Sequence, residues 1–165
     1  MYFLRQSKYR LYQCKWQLGD VFAYRFTSDY SAEEGYFGKY VVFRKVSEDI
    51  WWPGHIVPVV QIYKRIFDIV PLLDEINGIE LLPTLFNTKI NNVSYGQKYN
   101  MKLIVESERK IPTDNLTYIG SLPGKDIFPF PGPGYWSGYV PVGWESSSYN
   151  IKFEHHVIEM FSIWG

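Results

Sequence analysis

This chain contains one cysteine, carries no net charge and has no long apolar run. A lone Cys14 cannot close an internal disulfide, which fits a reducing compartment. Lysine plus arginine total 17, as do aspartate plus glutamate, so no global field draws the chain to nucleic acid or an anionic membrane. Nothing approaches the roughly 18–20 apolar residues of a membrane-spanning helix. The opening MYFLRQSKYRLYQCKW is interrupted by Arg5, Lys8 and Arg10, so it has no apolar signal-peptide centre. These absences predict a soluble, cytoplasmic protein. Metal and nucleotide motifs are missing too: there is no HExxH, CxxC, GxGxxG or phosphate-loop pattern. His155 and His156 are adjacent, about 100° apart on a helix, and poorly placed to share one ion. No metal or cofactor is expected.

What the chain has in abundance is aromatic residues: 6 Trp, 14 Tyr and 11 Phe in 165 positions. Such side chains suit half-buried pleated surfaces and tilt the class toward β. The length predicts a single domain over 1–165. Its centre is 16–67, where WQLGDVFAYRF, GKYVVFRKV and HIVPVVQIYKRIF read as three apolar strands. Gly19-Asp20 signals a turn; beyond it Phe22, Tyr24 and Phe26 alternate with Val21, Ala23 and Arg25. The link SDYSAEEG (28–35) is acidic, and the capping-box spacing of Ser31 and Glu34 predicts one helical turn. KYVVFRKV suits a central strand covered on both faces. SEDIWWPGH (47–55) reads as a link turning at Pro53-Gly54, and Pro58 predicts an edge or a bulge in the strand that follows.

Beyond that centre, Pro71 to Gly78 predicts a short helix, and Pro83 excludes a long one. NTKINNVSYGQKYN reads as polar loop with a turn at Asn91-Asn92, while MKLIV (101–105) and TYIGS (117–121) read as short strands. The stretch 121–144 is a Pro/Gly/aromatic loop that could cover a sheet edge or line a ligand site. From 151 to 164 the spacing of Phe153, Val157, Met160, Phe161 and Trp164 predicts an amphipathic helix, with Asn150 as its N-cap. The expected fold is therefore α+β: a strongly bent antiparallel sheet or small partly open barrel, with the C-terminal helix packed on it.

No nucleophile–base set assembles at recognisable spacing, so an enzyme is not expected. Cys14 reads as a buried thiol, Asp20 as a turn stabiliser, and His55 as the best single candidate for a functional histidine. The succession Trp16-x-x-Gly19-Asp20-Val21-Phe22-Ala23, Gly38-Lys39-Tyr40, Trp52-Pro53-Gly54-His55 and the closing Phe153-Glu154 helix resembles the immunity protein 26 family of bacterial polymorphic-toxin systems. The likeness covers about residues 14–67. It implies a non-enzymatic protein that binds and neutralises a toxin, with no catalytic residues to carry over. The alternative is a small-barrel nucleic-acid binder or ribonuclease of the PemK/MazF type, working through the basic N-terminus and His55.

Paired Trp51 and Trp52 cannot both face the core if their segment is extended, and Trp is favoured at binding hot spots. Glu48 and Asp49 flank them, and Asp29, Glu33 and Glu34 sit in the preceding link. The candidate contact surface is thus Glu48, Asp49, Trp51, Trp52 and His55, primarily, with Asp29, Glu33 and Glu34 as a second segment. A simple meander places those two links at opposite ends of the sheet. The expected partner is a basic protein such as a nuclease toxin, not a membrane and not nucleic acid.

Overall fold

The computed structural model describes residues 15–51, 55–82, 84–90, 93–99, 103–104, 113–124, 127, 142–143 and 151–164. In chain order the elements are β1 (Asp20–Arg25), α1 (Asp29–Glu33), β2 (Tyr40–Trp51), β3 (His55–Phe67) and α2 (Leu73–Ile76). There follow β4 (Thr84–Ile90), β5 (Val93–Tyr99), β6 (Leu103–Ile104), a tight helical turn (Thr113–Asn115) and β7 (Leu116–Ser121). The chain closes with β8 (Val142–Gly143), β9 (Ile151–Lys152) and α3 (Phe153–Trp164).

Three of the strands are those the apolar alternation picks out. They form the middle of a five-stranded sheet ordered β6-β3-β2-β1-β7, every pair antiparallel. The order is linear, with β6 and β7 as its ends, so the sheet is open and does not close into a barrel. The fold is α+β, with the C-terminal helix against this sheet. Pairing slips between Val21 and Phe22, between Val41 and Phe43, and between Lys45 and Ser47. Extra residues of this kind bend a strand and sharpen its twist.

Strand alternation gives the sheet two apolar faces. Phe22, Tyr24, Phe26 and Phe43 meet Phe153, Val157, Ile158 and Met160 of α3 on one face. Val21, Ala23, Val42, Tyr63 and Phe67 meet Ile76 of α2 on the other. β2 is central and buried from Val41 to Ser47, as a strand covered on both sides requires. Gly19, at φ +92°, makes the turn into β1 in a conformation that side chains with a Cβ disfavour.

Several boundaries differ from the sequence reading, each for a local reason. Ser47–Trp51 is strand, not link: β2 runs on until Trp51 pairs with His55, leaving only 52–54 to connect the hairpin. α1 is capped by Ser28, whose Oγ accepts from Ser31 N, so the cap falls three residues before Ser31. The polar stretch on either side of 91–92 is strand and not loop: β4 and β5 pair along their length, from Thr84 with Tyr99 to Ile90 with Val93, while the turn expected at Asn91-Asn92 lies outside the described residues. Cross-strand pairing overrides weak strand propensity here. α3 begins at Phe153 because Ile151 and Lys152 pair in parallel with Val142 and Gly143, so Asn150 is not adjacent to its first turn. Pro58 sits opposite Glu48, two places from the bulge, and the described pairing of β6 reaches only Val59 and Val60. Most of the 121–144 loop, Cys14 and the basic N-terminal arm lie outside the described residues.

Docking of α3 depends on the residues of its stripe that are fully enclosed. Phe153 is one, packed edge-on against Tyr24 at 5.1 Å and Phe43 at 5.9 Å. Phe161 is half-buried at the margin. Phe153→Ala should therefore cost about 3–5 kcal/mol, and Phe161→Ala clearly less. Urea denaturation midpoints of the two variants check the order.

Candidate functional site

The corner where β1 leaves the sheet is built by one carboxylate. Glu154, in the first turn of α3, is fully buried. One of its oxygens accepts from Tyr24 Oη at 2.6 Å and Thr27 N at 3.2 Å; the other accepts from Ser28 Oγ at 2.6 Å and Ser28 N at 3.0 Å. Asn115 braces the same corner, its Nδ2 donating to Thr27 Oγ1 at 2.7 Å and Arg25 O at 3.1 Å. Burial pushes the Glu154 carboxyl pKa up, but hydrogen bonds from Ser28, Tyr24 and Thr27 outweigh it and hold the group below its ordinary 4.5. A carboxylate with both oxygens doubly occupied has no lone pair directed at a substrate, so Glu154 is a clasp and not a general base.

This clasp brings α1 and α3 side by side. Tyr30 of α1 lies against His155 of α3, ring centres 3.9 Å apart. The Tyr30 hydroxyl is pushed above its ordinary 10.0, first by burial and then by Glu34, Glu159 and Glu33. Those three carboxylates therefore lie near the Tyr30 hydroxyl. Asp29, Glu33, Glu34 and Glu159 are all exposed, and none has an ion-pair partner among the described residues. The two adjacent histidines are split by the helix: His155 faces this surface while His156 points into the protein. Among the described residues no three His, Cys, Asp or Glu side chains gather as metal ligands.

The other candidate residues lie at the far end of β2. The register sets Arg25 opposite Tyr40 at one end and Trp51 opposite His55 at the other. Eleven residue steps separate the ends, roughly 35 Å at strand rise. The structure thus does not bring Asp29, Glu33 and Glu34 together with Glu48, Asp49, Trp51 and His55; Trp52 lies outside the described residues. Glu48 has an internal task. Its Oε2 is 2.7 Å from Nζ of Lys45, whose side chain is only 1% exposed and which also donates to Trp16 O at 2.7 Å. Trp16 in turn packs on Phe22 at 4.6 Å and Phe43 at 5.6 Å. Asp20, whose Oδ2 accepts from Gln17 N at 2.7 Å, shapes the entry turn.

Tyr30, His155 and Glu159 belong to the acidic surface; no sequence motif marks Tyr30 or Glu159, and His155 enters the sequence reading only as a poor metal ligand. His155 and Glu159 are four apart on the polar side of the predicted stripe, which places them on one helix face. That was the available signal.

Two outcomes follow from these side chains. Burial lowers the His156 pKa from 6.5 to about 4. Its folded pKa lies below its unfolded one, so acid protonates the unfolded chain first, and stability is lost as pH falls from 6.5 to about 4. The loss across that window should be ~3 kcal/mol, with a further loss below 4.5 as Glu154 protonates. His156→Phe should flatten the upper window and leave the lower one, as read by denaturation at a series of pH values. Separately, Glu48→Gln should destabilise by about 2–3 kcal/mol, because the enclosed Lys45 ammonium loses its counter-charge. A melt of that variant at neutral pH checks this.

Among the described residues, no helix is long and apolar enough to cross a membrane. No protein-family model, no curated protein and no solved structure matches this chain.

Proposed function

We propose that this protein is a non-enzymatic interaction protein, an immunity protein that binds and neutralises a bacterial toxin in the cytoplasm. Its contact surface is the acidic α1–α3 face, and the fitting partner is basic, as a nuclease toxin is. The observation that carries the reading is the set of unpaired, exposed carboxylates of Glu33, Glu34 and Glu159 near Tyr30 in the Tyr30–His155 pair, with the exposed Asp29 on the same short helix. Such a rim steers a cationic partner, while an aromatic pair supplies contact area once it arrives. The resemblance over residues 14–67 points to the same class.

The pairing of the described cations supports this reading over that of a nucleic-acid enzyme. Lys39 pairs with Asp68, Lys45 with Glu48 and Lys64 with Glu80. Arg44 is buried and donates to Leu122 O at 2.9 Å. Few described cations are left to neutralise phosphates, the main source of affinity for nucleic acid.

The test is co-purification with the toxin encoded beside the gene. Glu33→Lys, Glu34→Lys and Glu159→Lys combined should weaken binding by at least about a hundredfold, while the melting temperature changes little. Unchanged affinity would move the contact to the 47–55 hairpin, where Asp49→Lys is the matching variant. Purified protein should not turn over RNA or DNA; turnover abolished by His155→Ala or His55→Ala would replace the proposal with the ribonuclease reading.

A further inference from the structure

Arg25 and Arg65 differ from the paired lysines in having no acidic partner among the described residues. Each lies beside an aromatic ring instead. The Arg25 guanidinium carbon is 5.6 Å from the centre of Phe37, and that of Arg65 is 5.1 Å from the centre of Phe67. The strand register joins the two pairs, since Arg25 is directly opposite Tyr40 and Tyr40 is directly opposite Phe67. Arg25 alternates with the residues that face α3, and Tyr40 and Phe67 belong to the second core. A row therefore crosses three strands on the face away from α3: Phe37, Arg25, Tyr40, Phe67, Arg65.

The row is accessible at both ends. Phe37 is 55% exposed, Arg65 is exposed, and Ile69, just past β3, is 77% exposed. Asp68 stands beside it but is engaged by Lys39 at 2.9 Å. A guanidinium held along an aromatic ring loses little freedom on binding and still presents N–H groups in a fork that fits a carboxylate. Three adjacent strands span about 10 Å, the reach of roughly three residues of extended chain.

We propose that this row docks an acidic segment of a second protein, carboxylates on Arg25 and Arg65 and an apolar or aromatic side chain against Phe37. Charge complementarity selects the occupant: within the row the unpaired charge is positive, Asp68 being engaged by Lys39, while the exposed Asp74 and Glu75 of α2 are not members of the row. Two free guanidiniums on a chain of zero net charge offer too few phosphate contacts to hold a nucleic acid. This surface differs in sign and in sheet face from the acidic α1–α3 surface and does not depend on the toxin-binding reading.

The test is fluorescence anisotropy with three labelled probes: a short peptide of alternating Glu and Phe, the same peptide with Gln for Glu, and oligo(dT). The acidic peptide should bind at least about tenfold more tightly than the Gln peptide. Arg25→Gln/Arg65→Gln should remove that preference with an unchanged denaturation midpoint, and Phe37→Ala should weaken binding several-fold. Arg65 is exposed, so Arg65→Gln alone keeps the test intact if the double variant is unstable. The lysine triple variant of the α1–α3 face should bind the acidic peptide at least as well as the parent. Equal affinity for the two peptides, a double variant that binds like the parent, or tighter binding of oligo(dT) would each overturn the proposal.

Discussion

One buried carboxylate holds the two halves of this molecule together. Glu154 stands at the start of α3, yet its four donors come from β1 and from the residues leading into α1. Burying a charge is unfavourable unless hydrogen bonds replace its water, and here they fill both oxygens. Everything on that side of the sheet follows from the clasp. It seats Phe153 against Tyr24 and Phe43, sets the helix axis, and lays α1 along α3 so that Tyr30 meets His155.

The two faces of the sheet then carry different arrangements of charge. The helix pair carries unpaired carboxylates, and the opposite face carries two guanidiniums backed by rings together with the exposed acids of α2. A neutral total thus conceals local clusters of charge, and net charge alone would have passed over both regions. Lys45 and Arg44, adjacent on β2, are withdrawn from this surface; each is buried and bonds to a main-chain carbonyl.

The legible parts of the fold were those with clean periodicity. Phe22, Tyr24 and Phe26 alternate without interruption, and the apolar stripe of α3 repeats at helical spacing, so the strands, the two faces and the helix could be read directly. Lys45–Glu48 could not. In a regular strand, residues three apart point to opposite faces. The bulge leaves Val46 over between Lys45, opposite Val60, and Ser47, opposite Val59, and so returns Glu48 to the side of Lys45. No residue type announces that extra step. For the same reason Glu48 read as a surface acid flanking two tryptophans, when its charge is committed inward. Glu154 hid differently: an acid in a first helical turn ordinarily complements the dipole in solvent. Its burial depends on partners about 130 positions away.

That separation also governs how the protein is made. Synthesis delivers the β1–β2–β3 meander first, with Phe22, Tyr24, Phe43, Val60 and Ile62 along one side. Their cover, α3, emerges only after a further 86 residues lie between Phe67 and Glu154. At ~5–20 residues per second, the meander waits on the order of ten seconds for the helix that completes it. The nascent chain therefore carries a half-covered aromatic sheet until α3 has been made, and that is the interval in which a chaperone has something to hold.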